Sequence, residues 1–321
     1  RTSSSSVNRS TSAIAVVIVT YNSAGQLGTV LDSLSAGCDG VDLVDVVVAD
    51  NLSTDDTVDV AKQPRDIPVR VVQLGRNAGY AAGVNAAVAS LTAHVDAYLL
   101  LNPDITMHPR SAVPLAHALG QGARAIVFPQ LRNPDGTLQP SLRRKTTLPR
   151  TVAEALVGGG LASRLGGLGE LIMESEHYHS AGPTVWATGA AMLVSMQATR
   201  DIGPWDESFL LYGEETEFAL RAADRGWELW YEPESVMDHV GGEQTVTNPS
   251  LHALLTVNRV RLYRRRHNPV AGAVHYGAVT LGEALRAVGG RRTAQAALAA
   301  LLCPSRRLRE LPGDAVAPGH G

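Results

Sequence analysis

Cysteine and aromatic residues are scarce in this 321-residue sequence: it has two cysteines, and aromatic residues make up 5% of it. Cys38 and Cys303 show neither a CxxC pattern nor a metal-ligand spacing, which argues against a disulfide scaffold. A low cysteine content is typical of proteins from reducing compartments. We therefore expect the protein to be located in the cytoplasm.

Neither an excess of one charge nor a long apolar run is present. The 28 basic and 31 acidic residues leave a formal charge of −3, which excludes a strongly basic nucleic-acid-binding protein. A membrane-spanning helix needs about 20 successive apolar residues. Ala271–Gly290 comes nearest, but His275, Glu283 and Arg286 interrupt it, so no spanning helix is predicted.

Strand-like and helix-like patterns alternate through the first third of the sequence. Continuous runs of Val, Ile and Leu are typical of strands buried on both faces of a sheet. Helical spacing of apolar residues separates these runs, and Ser53–Asp55 offers N-cap residues to the second helix. The alternation predicts an α/β fold with a doubly wound, mostly parallel sheet flanked by helices. The predicted strands are Ile14–Val19, Val44–Ala49, Val69–Leu74 and Ala97–Leu101, and the predicted helices are Ala24–Leu34, Asp55–Ala61 and Gly79–Leu91.

After Pro103 the pattern is less regular, and glycine and proline mark most boundaries. Gly189 interrupts one predicted strand, Gly226 ends a predicted helix, and a turn is predicted at Pro233. Beyond about Ser250 the sequence is helical and rich in arginine. The predicted elements are helices at Ser111–Leu119, Thr151–Leu156 and Glu214–Arg225, strands at Ala125–Pro129, Val185–Val194 and Trp227–Tyr231, a turn at Arg132–Gln139, and a glycine-rich segment at Gly158–Gly167.

Three polar clusters directly follow three of the predicted strands: Thr20–Asn22, Asp50–Asn51 and Asn102–Asp104. The carboxyl ends of parallel strands meet at one edge of a sheet, where ligands bind in a crevice. Polar tips with two carboxylates at such an edge suit a nucleotide diphosphate and a divalent cation. The sequence therefore predicts a ligand site at this edge.

Two of the clusters also have purely structural interpretations. Asp104 offers a carboxylate and Asn102 an amide to Mg²⁺ or Mn²⁺, but Asn102-Pro103 equally fits the first two positions of a type I turn. Asp50 suits hydrogen bonds from a base or ribose, or an Asx turn into the next helix. Taken singly, both clusters are better interpreted as turns.

A run of small residues precedes the third predicted helix. In Asn77–Gly83, which includes Gly79 and Tyr80, the backbone N–H groups of the helix start suit a phosphate. The run does not match GxGxxG, and neither does Thr20–Gly25 after the first strand. A dinucleotide cofactor is therefore not expected.

An acidic cluster opens the predicted helix at Glu214. Glu217 and Arg221 are four residues apart, which is typical of an ion pair on a helix surface. Glu214 or Glu215 is a candidate general base if its carboxylate faces the crevice. His239 is either a structural histidine or a ligand of the metal or a phosphate.

The segment Arg259–Arg266 combines five arginines with apolar residues. A basic amphipathic helix can lie on an anionic membrane surface. A solvated helix face fits the same pattern equally well, so both interpretations stay open.

Taken in order, these clusters resemble those of the family 2 inverting glycosyltransferases with the GT-A fold. Within that family they look most like the branch of bacterial rhamnosyltransferases that act in cell-wall and O-antigen assembly. The resemblance runs from about Ala13 to Thr245 and depends on the joint order of motifs that are each weak. The matching stretches are Val17–Asn22, Val47–Asp55, Asn77–Asn85, Leu100–Asp104, Trp186–Leu193, Phe209–Arg221 with Gly226-Trp227, and His239–Gly242.

The resemblance implies a role for each motif. Asp104 would hold the metal as the last residue of a DxD-like motif, with His239 as a further metal or diphosphate contact. Glu215 would be the catalytic base, with Glu214 beside it. Asn102 departs from the pattern by replacing the first acid of that motif, and Glu217 stands where Asp is more usual. The implied nucleotide-sugar contacts are Thr20, Tyr21, Asn22, Asp50, Asn51, Asn77, Gly79, Tyr80, Gly83, Asn85, Asn102 and Asp104, and the implied acceptor-side residues are Trp186, Gly189 and Ala190.

The same resemblance implies transfer of L-rhamnose from dTDP-rhamnose, with inversion, to a hydroxyl of a glycan or polyprenyl-diphosphate-linked sugar. Mg²⁺ or Mn²⁺ would be the cofactor. Nothing in the residues decides against UDP-galactofuranose, UDP-glucose or UDP-N-acetylglucosamine as donor. A nucleotide-sugar-binding protein without activity is the other alternative.

The predicted domain organisation follows from the extent of the resemblance. A GT-A domain at 13–245 would have a nucleotide-sugar half, 13–129, and an acceptor half, 130–245. A helical region at 246–310 would contact either the inner face of the plasma membrane or a second subunit. Residues 1–12 are rich in Ser and Thr and have no apolar segment, so they are predicted to be a disordered lead-in rather than a signal peptide, with 311–321 as a tail.

Overall fold

Four apolar runs of the first hundred residues form the parallel part of a central sheet. The structure, a computed structural model, describes residues 12–241 and 248–311. The four strands lie parallel in the order β3-β2-β1-β4. Strands β1 and β4 and the second half of β2 are buried, as expected of strands covered on both faces, whereas β3 at the edge is half-buried or exposed. The strands are β1 (Ala13–Thr20), β2 (Asp42–Asp50), β3 (Val69–Gln73) and β4 (Ala97–Leu101).

Helices cover both faces of these strands, which confirms the doubly wound prediction. Helix α1 (Ala24–Gly37) packs on one face, and α3 (Tyr80–Ala89) packs on the other. Helix α2 (Thr57–Lys62) begins later than predicted. The side chain of Asp55 lies before this helix and accepts hydrogen bonds from the backbone of Ala24 and Thr57. Asp55 therefore joins the starts of α1 and α2.

The second half of the sheet mixes strand directions. Strand β10 joins β4 to β6 by antiparallel pairing, and β11 runs parallel to β6 before it pairs antiparallel with β5. Across the described residues the sheet has nine strands in the order β3-β2-β1-β4-β10-β6-β11-β5, with β8 beside β11. The remaining elements are β5 (Ile105–Met107), α4 (Ala112–Leu119), β6 (Arg124–Arg132), β7 (Leu142–Arg143), α5 (Leu148–Val157), α6 (Gly159–Arg164), β8 (Gly182–Pro183), β9 (Trp186–Ala187), β10 (Ala191–Ser195), α7 (Met196–Ile202), α8 (Glu214–Asp224), β11 (Glu228–His239), α9 (Pro249–Arg266), α10 (Pro269–Val288) and α11 (Arg292–Leu302).

The turn predicted at Pro233 is wrong. Strand β11 continues through Pro233 to His239, and its pairing with β6 shifts register between Glu232 and Val236. Such an irregularity tolerates proline because the missing N–H is not needed there. The longer strand carries His239 into register with Ile105 of β5. That pairing decides the geometry of the site.

Glycine-rich stretches take more regular structure than the sequence predicts. Gly158–Gly167 contains the helix α6, which follows α5 directly. The interruption predicted at Gly189 is confirmed, since Gly189 lies between β9 and β10.

The C-terminal region is helical, as predicted, and consists of α9, α10 and α11. In the ranges that the structure describes, no helix has the length and apolar character needed to cross a membrane. The proposed disordered lead-in and tail lie outside the described residues, apart from Ser12 and Leu311, and the domain boundary near Thr245 also lies outside them.

The arginines of α9 do not form a free basic face. Arg259 bonds to Glu154 and Glu170. Arg265 pairs with Asp206, and Arg266 with Asp224. Arg261 donates to the carbonyl and hydroxyl of Ser208. Four of the five arginines predicted to meet a membrane are therefore bonded within the chain.

Candidate active site

The tips of β1 and β2 are bonded to each other. Asp50 is fully buried, and its carboxylate accepts from the Thr20 hydroxyl (3.1 Å) and from the backbone N–H of Ser53 (3.0 Å). The Asn22 side chain accepts from the backbone N–H of Thr54 (2.8 Å), and Tyr21 between them is buried. These bonds fix the shape of this edge, so the local turn predicted at Asp50 is present.

Asn51 holds the segment that leads into α3. Its amide donates to the carbonyl of Gly79 (3.2 Å) and accepts from the backbone N–H of Ala78 (3.1 Å), next to the half-buried Asn77. The N–H of Tyr80 donates to the carbonyl of Leu210 (2.9 Å). The prediction that the start of α3 receives a phosphate is therefore wrong for this N–H group, because a backbone carbonyl already occupies it.

Gly79 is required at this contact. Its φ of +92° is in the left-handed region, and a Cβ added there would lie 2.1 Å from the carbonyl oxygen of Leu210. Helix α3 thus presses against the loop that precedes α8.

Two of the residues predicted to contact the nucleotide sugar have contacts within the chain. A Cβ at Gly83 would lie 2.6 Å from the Val19 side chain, so this glycine allows α3 to approach β1. The Asn85 amide donates to the carbonyl of Trp205 (3.0 Å) and to Glu207 (2.9 Å), and it accepts from the Trp205 backbone N–H (2.9 Å). These contacts give Gly83 and Asn85 a structural role, and their contact with a nucleotide sugar stays a prediction.

Asn102–Asp104 forms a turn and also presents a carboxylate. The N–H of Ile105 donates to the carbonyl of Asn102 (3.2 Å), which is the bond of the predicted turn. The turn directs Asp104 beyond the end of β4, where one carboxylate oxygen accepts from the N–H of Gly241 (2.9 Å). The two interpretations of this tripeptide are compatible, because the turn positions the candidate ligand.

Asp104 and His239 meet in a buried pocket. The Nε2 atom of His239 lies 3.4 Å from an oxygen of Asp104, and the two residues are 4% and 3% exposed. The other oxygen of Asp104 and this Nε2 have no hydrogen-bond partner among the described residues. Unpaired buried polar atoms are rare and call for an explanation such as a bound ion.

Gln139 sets the orientation of the His239 ring, a contact that sequence reasoning missed. Its amide nitrogen donates to the Asn133 side chain (2.9 Å) and to the carbonyl of His239 (3.3 Å). Its oxygen therefore faces Nδ1 of His239 at 2.7 Å. In a neutral imidazole the proton then resides on Nδ1, so Nε2 directs its lone pair towards Asp104.

This arrangement suits a divalent cation. An imidazole nitrogen and a carboxylate are common ligands, and orientation of the imidazole by an amide is a common outer contact. Within the described part of the chain no group of three or more His, Cys, Asp or Glu side chains could hold a metal. Asp104 and His239 could therefore hold such an ion only if water or a bound phosphate supplied the remaining ligands.

Tyr80 lies near both Asp104 and the acidic helix α8. Its hydroxyl lies 3.3 Å from Asn102 Oδ1 and 3.3 Å from the carbonyl of Gly189. Burial, and then the charges of Glu214 and Glu215, raise the pKa of the Tyr80 hydroxyl well above its usual value. Tyr80 therefore remains a hydrogen-bond donor.

Glu214 and Glu215 differ in burial and contacts. Glu214 is 2% exposed, and one of its oxygens has no partner within the described ranges. Burial, and then the charge of Glu215, raise the pKa of the Glu214 carboxyl well above 4.5, which favours its protonated form. Glu215 is half-buried and accepts from the N–H of Gly213 (3.1 Å). The Glu217–Arg221 ion pair predicted on this helix is confirmed at 2.8 Å.

The predicted acceptor-side residues lie beside Glu215. A Cβ at Gly189 would lie 3.2 Å from Cγ of Glu215, which is closer than an ordinary contact, so a side chain at position 189 would crowd Glu215. The carbonyl of Ala190 accepts from the N–H of Asn102 (2.8 Å). Trp186 on β9 is buried, with the guanidinium of Arg143 5.1 Å above its ring.

Helix α9 supports the loop before α8, which the sequence did not reveal. The buried amide of Asn258 donates to the carbonyls of Phe209, Leu211 and Tyr212 at 2.8 to 3.0 Å. Tyr212 has a φ of +67°, which is unusual for a residue with a side chain. Asn258 therefore stabilises a strained loop that positions Glu214 and Glu215.

The fold is that of the GT-A glycosyltransferases. A mannosyltransferase from Pyrobaculum calidifontis, solved with GDP-mannose and Mn²⁺, has a TM-score of 0.55 at 19% identity over 94% of this chain and 77% of that one. The structure of GalNAc-T7 with UDP, GalNAc and Mn²⁺ has a TM-score of 0.58 at 14% identity over 79% of this chain and 48% of that one.

The chain belongs to glycosyl transferase family 2. The family model matches residues 15–168. The chain is 31% identical to the N-acetylglucosaminyl-diphospho-decaprenol L-rhamnosyltransferase of Mycobacterium tuberculosis, over 75% of this chain and 80% of that protein. It is 24% identical to the low-salt glycan biosynthesis hexosyltransferase Agl10 of Haloferax volcanii, over 65% of this chain and 61% of that protein. The chain is therefore a glycosyltransferase, and the predicted resemblance is confirmed.

Proposed function

We propose that the chain transfers L-rhamnose from dTDP-rhamnose, with inversion, to a hydroxyl of a polyprenyl-diphosphate-linked sugar. The observation that carries this proposal is the 31% identity, over 80% of its length, to a protein named for rhamnosyl transfer to such an acceptor. The crevice supports the reaction class, because the candidate metal ligand Asp104 and the carboxylates of Glu214 and Glu215 all lie near Tyr80.

The donor would bind at the edge formed by β1, β2 and β4. Thr20–Asn22 and Asp50–Asn51 would contact the base and ribose, with Asn77 beside them. The fixed shape of these tips supports the assignment, because a preorganised site loses less conformational freedom on binding. Asn102 and Asp104 would lie nearer the diphosphate.

Asp104 and His239 would hold Mg²⁺ or Mn²⁺. The unpaired oxygen of Asp104 and the unpaired Nε2 of His239 in the described structure support this assignment, and two related folds were solved with Mn²⁺. A bound divalent cation would supply positive charge to the departing diphosphate. Gln139 would keep the His239 lone pair directed to that position.

Glu215 would remove the proton from the acceptor hydroxyl. It is half-buried beside Gly189, on the predicted acceptor side, whereas the raised pKa of the neighbouring Glu214 favours the protonated form, which does not accept a proton. The acceptor oxygen would attack the anomeric carbon as the bond to the diphosphate breaks. One displacement inverts the configuration at that carbon.

The test is a donor panel assayed with polyprenyl-diphosphate-linked N-acetylglucosamine. We expect turnover with dTDP-rhamnose but not with UDP-galactofuranose, UDP-glucose or UDP-N-acetylglucosamine. EDTA should abolish turnover, and added Mn²⁺ or Mg²⁺ should restore it. NMR of the product should show the inverted anomer.

Each part of the proposal can fail separately. Turnover with a UDP-sugar alone would exclude rhamnose as the donor sugar. A product that retained the donor configuration would exclude the single displacement. Donor binding without turnover on any acceptor would favour a nucleotide-sugar-binding protein.

A further inference from the structure

Helix α10 turns its apolar side chains outward. Its inward face carries the buried polar residues His275 and Glu283. A helix on the surface of a globular protein normally has the reverse arrangement, with apolar residues towards the core. The outward residues follow one another at intervals of three, four or seven positions, which places them on one stripe of the helix, and all are more than a third exposed. They are Val270, Val274, Leu281, Leu285 and Val288.

The inward polar groups prevent the helix from rotating to bury this stripe. His275 lies 2.9 Å from the hydroxyl of Thr151 on α5, and its ring stacks on Tyr263 of α9 at 4.0 Å. Glu283 pairs with His252 of α9 (3.2 Å) and with Arg286 (2.9 Å). The orientation of α10 is therefore fixed by its neighbours.

Helices α5 and α6 extend the apolar surface. A Cβ at Gly282 would lie 2.8 Å from Cα of Ala155, so α10 crosses α5 at close range. Arg286 donates to the carbonyl of Glu154 (2.7 Å), which fixes the same crossing. We call the exposed residues of the three helices the apolar face. Besides the α10 stripe it contains Val152, Leu156 and Val157 of α5, Leu161 of α6, and Leu165 and Leu168 after it.

The exposed charges around the apolar face are all positive. The acidic residues of 148–170 and 269–303 are Glu154, Glu170 and Glu283, and all three are buried. The exposed charged residues of these segments are Arg164 and the pair Arg291-Arg292. A second copy docked on this face would bring like charges together, whereas anionic lipid headgroups would pair with them.

We propose that the apolar face lies in the interfacial layer of an anionic lipid bilayer, with Arg164, Arg291 and Arg292 at the headgroups. An apolar surface with a basic rim is the pattern of an interfacial helix. The face is connected to the acceptor side along the chain, because α5 begins five residues after β7, which pairs with β9 at Trp186. The inference rests on the proposed function in one respect: a lipid-linked acceptor gives the enzyme a reason to lie there.

The test is co-sedimentation of the full chain with vesicles, without donor or acceptor. We expect binding to vesicles that contain phosphatidylglycerol, weaker binding to phosphatidylcholine alone, and loss of binding at high salt. The double variant Leu281→Gln/Leu285→Gln should weaken binding by about tenfold or more, because two apolar side chains leave the bilayer. Arg291→Gln/Arg292→Gln should weaken it by about tenfold on anionic vesicles only.

The matched control is Arg265→Gln/Arg266→Gln. These arginines belong to the segment that the sequence indicated for membrane contact, but they pair with Asp206 and Asp224. We expect their loss to change vesicle binding by less than about twofold, since little free charge is removed. Thermal melts of all variants would show that the fold is retained.

Two results would overturn the proposal. One is failure of the wild-type protein to bind anionic vesicles, or binding that is unchanged in Leu281→Gln/Leu285→Gln or in Arg291→Gln/Arg292→Gln. The other is a dimer, detected by analytical ultracentrifugation, that Leu281→Gln/Leu285→Gln dissociates, because the face would then belong to a second copy. Transfer to a short-chain, water-soluble acceptor tests the proposed function independently of vesicle binding, so the two failures are distinguishable.

Discussion

The two sides of the crevice differ in how their buried polar atoms are bonded. On the β1–β2 side, Asp50 and Asn51 both bond to neighbouring segments. On the other side, Asp104, His239 and Glu214 each have a buried atom without a partner in the described ranges. An unpaired buried polar atom costs about 1–3 kcal/mol, so three of them around one crevice call for an explanation such as a bound ligand. The bonded groups therefore fix the shape of the crevice, and the unpaired atoms are available to a bound ligand.

This difference predicts unequal effects for substitutions on the two sides. Changes at unpaired groups should affect turnover or metal affinity more than folding. Changes at bonded groups should affect folding first.

The largest effect is expected at Glu215. Glu215→Gln removes the proposed base and should lower kcat by about 10²–10⁴-fold, with little change in donor affinity. Steady-state kinetics with dTDP-rhamnose and donor titration by calorimetry measure the two quantities.

The matched variant is Glu214→Gln. It mimics the protonated acid that burial favours, so we expect a change of less than about fivefold in kcat, well below the effect of losing a base. If Glu214→Gln were instead the inactive variant, the assignment of Glu215 would be wrong.

A smaller effect is expected at Gln139, which orients His239. Gln139→Leu removes the acceptor for Nδ1–H and should weaken Mn²⁺ binding by about 10–100-fold. Calorimetric titration of Mn²⁺ in the presence of dTDP measures this without turnover. Gln121→Leu is the control, because Gln121 also lies 3.2 Å from a histidine ring, that of His117, but on the surface. Equal Mn²⁺ affinity in Gln139→Leu and wild type would contradict the role of Gln139.

The role of Gln139 also shows where sequence reasoning stops. Local patterns correctly predicted β1, β4 and the turn at Asn102, because apolar runs and Asn-Pro pairs act over a few residues. Gln139 and His239 are 100 residues apart and meet because β6 and β11 are neighbours in the sheet. No local pattern contains that pairing.

The same limit applies to Gly83 and to α9. Gly83 lies in a motif that resembles a ligand site, but its role depends on the distance between α3 and Val19. The arginines of α9 form a basic pattern in sequence, but their partners come from other elements of the chain. A charge pattern predicts a free surface only where no acid folds against it.

Among the bonded groups, we expect the clearest loss of stability at Asn51. Asn51→Ala leaves the N–H of Ala78 and the carbonyl of Gly79 without their partner and should lower the free energy of unfolding by about 1–3 kcal/mol. Urea denaturation measures this. Gln73→Ala, at an exposed amide on β3, should change it by less than about 0.5 kcal/mol. Equal effects at the two sites would remove the distinction between bonded and free amides.

The smallest effect concerns the pH dependence of stability at Glu214. The folded protein raises the pKa of this carboxyl above its usual 4.5, so it binds the proton more tightly than the unfolded chain does. The resulting stabilisation is complete below the unfolded pKa and is lost as the pH rises towards the folded pKa. Glutamine does not titrate. Over the first pH unit above the unfolded pKa, the free energy of unfolding of the wild type should therefore fall by about 1 kcal/mol relative to that of Glu214→Gln, as measured by urea denaturation. If the two stabilities changed with pH in parallel, the folded protein would not hold a proton at Glu214. The assignment of the base to Glu215 rather than Glu214 would then fail.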